Sequence, residues 1–256
     1  MLEIIGVRTQ LIEPNDNLTE IFLNALEDQD LELKNNDIIV IASSAISTVT
    51  SRIRKIEEIV PSEKAKKLAQ KCDLEEKYLE IILQESDKIL NPFKDCILTL
   101  KDDMLRINAG VDRTNVPAGY ALLLPKNSEK IASKIKTDIE KETGKKIGVI
   151  ISDSHVHPLR RGTTGQALGT SGINEAIDCR TQKDLYGRKL QITFRGIGDQ
   201  LATAAQLVMG EADESIPIVI IRGADVAFSE KEGESLKIPP EECVYSRYFD
   251  YESEEI

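Results

Sequence analysis

The chain has 256 residues, 41% of them hydrophobic and 30% charged, which excludes a disordered composition and predicts a folded protein of one large domain or two small ones. Its formal net charge of -11 opposes a polyphosphate backbone, so nucleic acid is not an expected partner, and a small anion would need local help from Lys, Arg, a helix N-terminus or metal ions. No apolar run reaches the roughly 18 residues of a membrane span, the opening M-L-E-I-I-G-V-R lacks a secretory pattern, and the scattered Cys72, Cys96, Cys179 and Cys243 show no zinc-type spacing, so a cytoplasmic protein with reduced thiols and no membrane partner is expected.

In chain order, hydrophobic periodicity predicts a helix from Leu18 to Leu26, a strand from Ile38 to Ala42, and helices from Ser62 to Lys71 and Leu74 to Glu85. A strand from Ala121 to Leu124 follows, then a helix from Ser128 to Glu140 and strands at Ile147 to Ile151 and Leu190 to Phe194. A helix from Asp199 to Met209 and a strand from Ile216 to Ile221 complete the pattern. Ser62 and either Asn127 or Ser128 are suited to N-cap their helices, and Gly210 sits where a C-cap glycine belongs. Leu201, Ala204, Ala205 and Val208 fall on one helical face, which should pack on the sheet. Most strands are too continuously apolar to be half exposed, so the expectation is an α/β protein whose sheet is covered on both faces. With no repeat and no linker, residues 1–245 read as one intertwined domain, followed by an acidic, solvated tail at 246–256.

The strongest chemical signal is I-G-V-I-I-S-D-S-H-V-H-P-L-R-R-G, where an apolar strand delivers Asp153 at its carboxyl end, the place where α/β proteins build sites. Asp153 and Ser154 offer hard oxygens suited to Mg2+ or Mn2+, although an Asp there can also simply cap a turn. His155 and His157 are the only histidines, and their alternate spacing puts both on the Asp153 face if the strand continues. Arg160 and Arg161 suit bidentate contact with phosphate or carboxylate. The glycines at 162, 165, 169 and 172 match neither a Walker A loop nor G-x-G-x-x-G. Two more acidic segments stand out: Asp112 with Asn115 after a turn expected at Ala109 and Gly110, and Glu211, Asp213 and Glu214 just past a helix end. A helix C-terminus disfavours bare carboxylates, so a nearby cation would make sense of the latter, as would solvent.

Taken together, I-V-I-A-S-S-A-I-S, P-S-E-K-A, I-N-A-G-V-D-R-T-N-V, I-G-V-I-I-S-D-S, R-R-G-T-T-G-Q-A-L-G, K-D-L-Y-G-R-K-L, L-V-M-G-E and I-P-I-V-I-I-R-G resemble the coenzyme F420-0:L-glutamate ligase family over about residues 5 to 225. The resemblance implies that family's fold, mixed sheets with packed helices and neither Rossmann nor P-loop. It also implies a GTP-dependent reaction: a carboxylate of the coenzyme F420 precursor is phosphorylated, and the amine of L-glutamate displaces phosphate to form a gamma-glutamyl amide. Carried over by position, Asp112, Asp153, Ser154 and Glu211 would be metal-site residues for two Mg2+ or Mn2+ ions, with K+ a further candidate. Thr9, Gln10, Leu11, Ile12, Ser43, Ser44, Asn115, Gln206, Met209, Gly210 and Asp213 would border the nucleotide, and Arg160 would join Asp153 in catalysis. A homodimer is implied as well.

Two departures bear on GTP preference and on the acceptor: Thr48 stands where these ligases carry a Lys, and S-H-V-H-P-L-R replaces T-x-G-R-x-x-R. Two other activities therefore stand beside the first. One is a paralogous ligase glutamylating a folate or pterin acceptor. The other is a metal-dependent hydrolase using Asp153, His155 and His157 around zinc or iron.

Overall fold

The computed structural model describes residues 1–229 and 234–245, so the acidic tail expected at 246–256 lies outside the described residues. Contacts divide the chain into two compact units, one made of Met1–Ser51 and Pro125–Leu236, the other of Arg52–Leu124 and the segment beginning at Lys237. In chain order, the first unit opens with β1 (Glu3–Val7), α1 (Leu18–Asp28), β2 (Ile38–Ala42) and α2 (Ser43–Val49). The second supplies β3 (Ile53–Lys55), α3 (Glu63–Cys72), α4 (Glu76–Glu85), β4 (Lys88–Phe93), β5 (Cys96–Lys101), β6 (Met104–Ile107) and β7 (Tyr120–Leu122). The first unit then resumes with α5 (Ser128–Thr143), β8 (Gly148–Val156), β9 (Thr163–Ser171), β10 (Ala176–Asp178), β11 (Phe194–Gly196), α6 (Ile197–Met209) and β12 (Ile218–Arg222).

The first unit is built on a five-stranded mixed sheet in the order β1-β12-β2-β8-β9. Its β2–β8 pair is parallel and its other neighbouring pairs are antiparallel, so it is not a doubly wound parallel sheet. The Ile- and Val-rich runs of β2, β8 and β12 fill its centre and are almost completely buried, as β-branched residues covered on both faces should be. On one face, Ile197, Leu201 and Ala205 of α6 pack against Ile38, Val40, Ile150 and Val219, which matches the apolar stripe expected for that helix. α5 packs on β8 and β9. In the second unit, α3 and α4 bury Leu68, Leu79 and Ile82 with Ile97 and Leu123, beside the three-stranded sheet β4-β5-β6 and the β3–β7 pair.

Several expectations need correction. The strand expected over Leu190 to Phe194 is confined to β11, beginning at Phe194; Leu190 instead bonds through its N–H to the Gln182 carbonyl within a loop. The helix expected from Leu74 starts at Glu76, and the strand expected to end at Ile151 continues to Val156. Ser62 caps α3 by accepting from the Ala65 N–H at 3.2 Å, as expected, but Asn127 precedes α5 in the left-handed region (φ 57°) without a side-chain cap, and Ser128 is already helical. The glycine-rich stretch proves to be strand β9, and two of its glycines serve helix packing. A Cβ at Gly165 would lie 2.3 Å from the Ala202 backbone of α6, and one at Gly169 would lie 2.4 Å from the Glu129 nitrogen of α5. All four cysteines are unpaired thiols, with Cys72 and Cys179 buried. Among the described residues, no helix is long and apolar enough to cross a membrane.

Candidate functional site

The site candidate lies in the first unit, at one end of the five-stranded sheet. Register aligns Val7, Ile218, Ile41 and Ile151 as neighbours on successive strands. Everything that follows β1, β2 and β8, and everything that precedes β12, therefore gathers at the same end. The Thr9 N–H donates to the Ser215 carbonyl at 3.2 Å and the Ala42 N–H to the Pro217 carbonyl at 2.9 Å, closing this end around Thr9–Ile12, Ser43–Ser44 and the loop after α6.

A register irregularity, one extra residue of β9 opposite the step from Ile151 to Ser152, decides which β9 side chains face the polar end of β8. Beyond it, Asp153 opposes Gln166 and Ser154 opposes Gly165, and alternation sends Asp153 and Ser154 to opposite faces. On one face, the Ser43 hydroxyl at the start of α2 donates to Asp153 Oδ1 at 2.6 Å. Gln166 shares that face, and its carboxamide oxygen is buried without a hydrogen-bond partner. On the α6 face, the Ser154 hydroxyl lies 2.8 and 3.0 Å from the two carboxylate oxygens of Glu211, and the Thr163 hydroxyl donates to Glu211 Oε1 at 2.7 Å. The Gln206 amide nitrogen donates to Ser154 Oγ at 2.9 Å, to Thr163 Oγ1 at 3.3 Å and to Glu211 itself.

The loop after α6 is held in place by its own groups. Gly210 has φ 71°, and a Cβ there would meet the Glu214 carboxylate at 2.1 Å, so the turn needs glycine. The Ala212 N–H donates to Glu214 Oε2 at 2.8 Å, and backbone N–H bonds from Glu214 itself and from Ala212 hold the Glu214 carboxyl below its ordinary pKa.

Compared with known proteins, residues 6–223 match the family described as F420-0:Gamma-glutamyl ligase. The chain belongs to that family. It is 41% identical over 247 residues to the coenzyme F420:L-glutamate ligase of Methanocaldococcus jannaschii, covering 95% of this chain and 96% of that one. It is 37% identical to the enzymes of the same name from Methanopyrus kandleri, over 87% and 86% of the two chains, and from Archaeoglobus fulgidus, over 85% of each.

Of the residues expected from the resemblance to these ligases, Thr9, Gln10, Leu11, Ile12, Ser43, Ser44, Asp153, Ser154, Gln206, Met209, Gly210, Glu211 and Asp213 belong to this one end of the first unit. Arg160 sits on the exposed turn between β8 and β9, its N–H donating to the His157 carbonyl at 3.2 Å. Thr48 lies inside α2 and donates to the Ser44 carbonyl at 2.9 Å.

Asp112 and Asn115 belong to the second unit. Asp112 accepts from the N–H groups of Arg113 at 2.6 Å and Thr114 at 3.0 Å and from the Thr114 hydroxyl, an Asx-type turn, and Asn115 follows in the left-handed region (φ 51°). Beneath this turn the Arg113 guanidinium lies 4.3 Å from the Tyr78 ring centre, and the Tyr78 hydroxyl donates to the Val111 carbonyl at 2.7 Å. Burial pushes the Tyr78 phenol up to about 12, with Arg113 opposing the rise.

The hydrolase centre expected as an alternative is not assembled: among the described residues, no three His, Cys, Asp or Glu side chains converge as metal ligands. His155 and His157 do meet edge to face, with ring centres 5.3 Å apart, but His157 Nε2 is 2.6 Å from the Thr164 hydroxyl. Sequence reasoning missed Thr163 and Gln166, since the glycines around them disguised a strand. Once β9 is a strand, its alternation points Thr163 and Gln166 to the two faces on which Glu211 and Asp153 lie.

Proposed function

We propose that this chain is a GTP- and divalent-metal-dependent ligase that adds L-glutamate, in gamma-glutamyl amide linkage, to the coenzyme F420 precursor through an acyl phosphate. The observation that carries the reading is likeness along nearly the whole chain to enzymes named coenzyme F420:L-glutamate ligase. The site's chemistry supports it. Asp153 and Glu211 carboxylates and Ser43 and Ser154 hydroxyls are hard oxygen donors, a set suited to Mg2+ or Mn2+ and ill suited to soft metals.

In this reading Asp153 would hold one cation, and Ser154 with Glu211 would hold a second. Divalent cations held there would supply positive charge to the transferring phosphoryl oxygens. The hydrogen bond from Ser43 orients Asp153, and Gln206 with Thr163 orients Glu211. Arg160, on its exposed turn, approaches the negative charge that develops on the acyl phosphate and leaving phosphate. Thr9–Ile12, Ser43–Ser44 and Gln206–Asp213 border the nucleotide. The carboxylate oxygen of the acceptor attacks the γ-phosphorus and releases GDP. The glutamate amine then attacks the acyl carbon, loses a proton and releases phosphate. The enzyme acts in the cytoplasm as a homodimer, with K+ a further candidate ion.

Purified protein is incubated with GTP, Mn2+, L-glutamate and the deazaflavin precursor, with a folate and a pterin as parallel acceptors, and products are read by mass spectrometry. A GTP- and metal-dependent gain of one glutamyl unit on the deazaflavin is expected. No such product on the deazaflavin, or a gain only on the folate or pterin, overturns the assignment.

A further inference from the structure

The orphaned acceptor on Gln166 points to a partner from outside the chain. A buried carbonyl-type oxygen without a hydrogen bond is destabilising, so native proteins keep few of them. This one lies on β9 directly opposite Asp153. Directly opposed residues of an antiparallel pair share a face, with Cβ atoms about 4.5–5.5 Å apart. The juxtaposition is a product of the irregularity between Ile151 and Ser152. Continued in the register that pairs Val149 with Ser171, Asp153 would face the apolar Ala167 instead. The irregularity therefore sets a neutral oxygen beside a carboxylate that Ser43 already orients.

We propose that Gln166 supplies a further oxygen ligand to the divalent cation held at Asp153, an inference that rests on the metal-dependent reading above. Carboxylate, hydroxyl and amide carbonyl oxygens together make a hard donor set of low net charge. Such a set binds the cation while leaving it enough positive charge to attract phosphoryl oxygens. It also accounts for the missing hydrogen bond, because an amide oxygen reserved for a cation has no internal partner to satisfy it.

The test is Mn2+ titration by calorimetry into the full-length, metal-free protein, with and without a non-hydrolysable GTP analogue, alongside thermal melting of the same samples. Asp153→Asn identifies the heat that belongs to this cation. Gln166→Leu should weaken that binding by about tenfold or more, while the metal-free melting midpoint stays unchanged or rises because an unpaired buried acceptor has been removed. Gln166→Glu should bind Mn2+ at least as tightly as the wild type. The inference is overturned if Gln166→Leu binds Mn2+ normally in both conditions, if it lowers the metal-free midpoint without touching affinity, or if the wild type takes up no Mn2+. The ligase reading is judged separately by the glutamylated product. Product formation with an indifferent Gln166→Leu titration removes the inference alone, and a weakened titration without product removes the ligase reading alone.

Discussion

Ser43 Oγ donates to Asp153 Oδ1 at 2.6 Å, joining the first residue of a helix to the end of a strand 110 positions later in the chain. A hydrogen bond to a charged group contributes about 1.5–3 kcal/mol, and here it fixes the orientation of a proposed metal ligand. Ser43→Ala should therefore lower turnover about tenfold and raise the Mn2+ concentration needed for half-maximal rate. Asp153→Asn should abolish turnover with an unchanged circular dichroism spectrum. Near-normal rates for Asp153→Asn at saturating Mn2+ would remove it from the catalytic machinery.

Gln206 should matter more than its half-buried position suggests. One amide group ties together Ser154, Thr163 and Glu211. Replacing it by Leu leaves the Glu211 carboxylate unrestrained, and loss of such supporting contacts typically costs about 10–100-fold in metal affinity or activity. The expected kinetic signature is a metal requirement shifted to higher concentration, with the melting midpoint nearly unmoved. A variant that melts early but keeps its metal dependence would mark a structural role instead.

Gly165 offers a stability test that leaves the polar groups untouched. An added methyl would lie 2.3 Å from the α6 backbone at Ala202, which cannot yield as a side-chain tip can. Gly165→Ala should cost about 3 kcal/mol, at the upper end of ordinary overpacking. Chemical denaturation monitored by circular dichroism would measure it; a loss below about 1 kcal/mol would mean that the helix retreats without strain.

Tyr78 predicts an alkaline weakness in the second unit. Its folded-state pKa is pushed up to about 12, chiefly by burial, above the roughly 10 of an unfolded tyrosine. The unfolded chain therefore loses this proton first, so the stabilising contribution is whole below pH ~10 and disappears as pH rises through ~12. Unfolding free energy should fall across that window, and Tyr78→Phe should flatten the fall while costing about 1 kcal/mol at neutral pH through loss of the bond to the Val111 carbonyl. An identical alkaline profile in the Phe variant would show that other groups govern it.

The parts of the fold legible in the sequence were those where burial on both faces leaves long β-branched runs, at Ile38–Ala42, in the first half of β8 and in β12, and where the α6 stripe repeats at helical spacing. β9 was hidden because Gly165 and Gly169 leave room for helices where a strand would usually show side chains. In the second unit, β4 to β6 are short and joined by turns in which Asp95, Asp102 and Asp103 take positive φ, a turn signal masked by the general abundance of acidic residues. The site residues were legible as separate motifs. Their partners across the sheet were not, since one extra residue of β9 opposite the Ile151–Ser152 step, invisible to periodicity, changes which β9 residue each β8 residue meets from Ser152 onward.

The position of β12 has a consequence for how the molecule is made. It lies between β1 and β2 and bonds to both, yet it is the last described strand to leave the ribosome. Until Arg222 emerges, two early strands wait without the neighbour that joins them, and the Arg52–Leu124 part of the second unit is synthesised in the interval. Such distant pairing slows folding, because chain closure must precede the contacts that reward it. The cluster of oxygens at the sheet end is therefore assembled late, after β12 has emerged, and a nascent fragment ending before Ile218 carries its pieces without the joining strand.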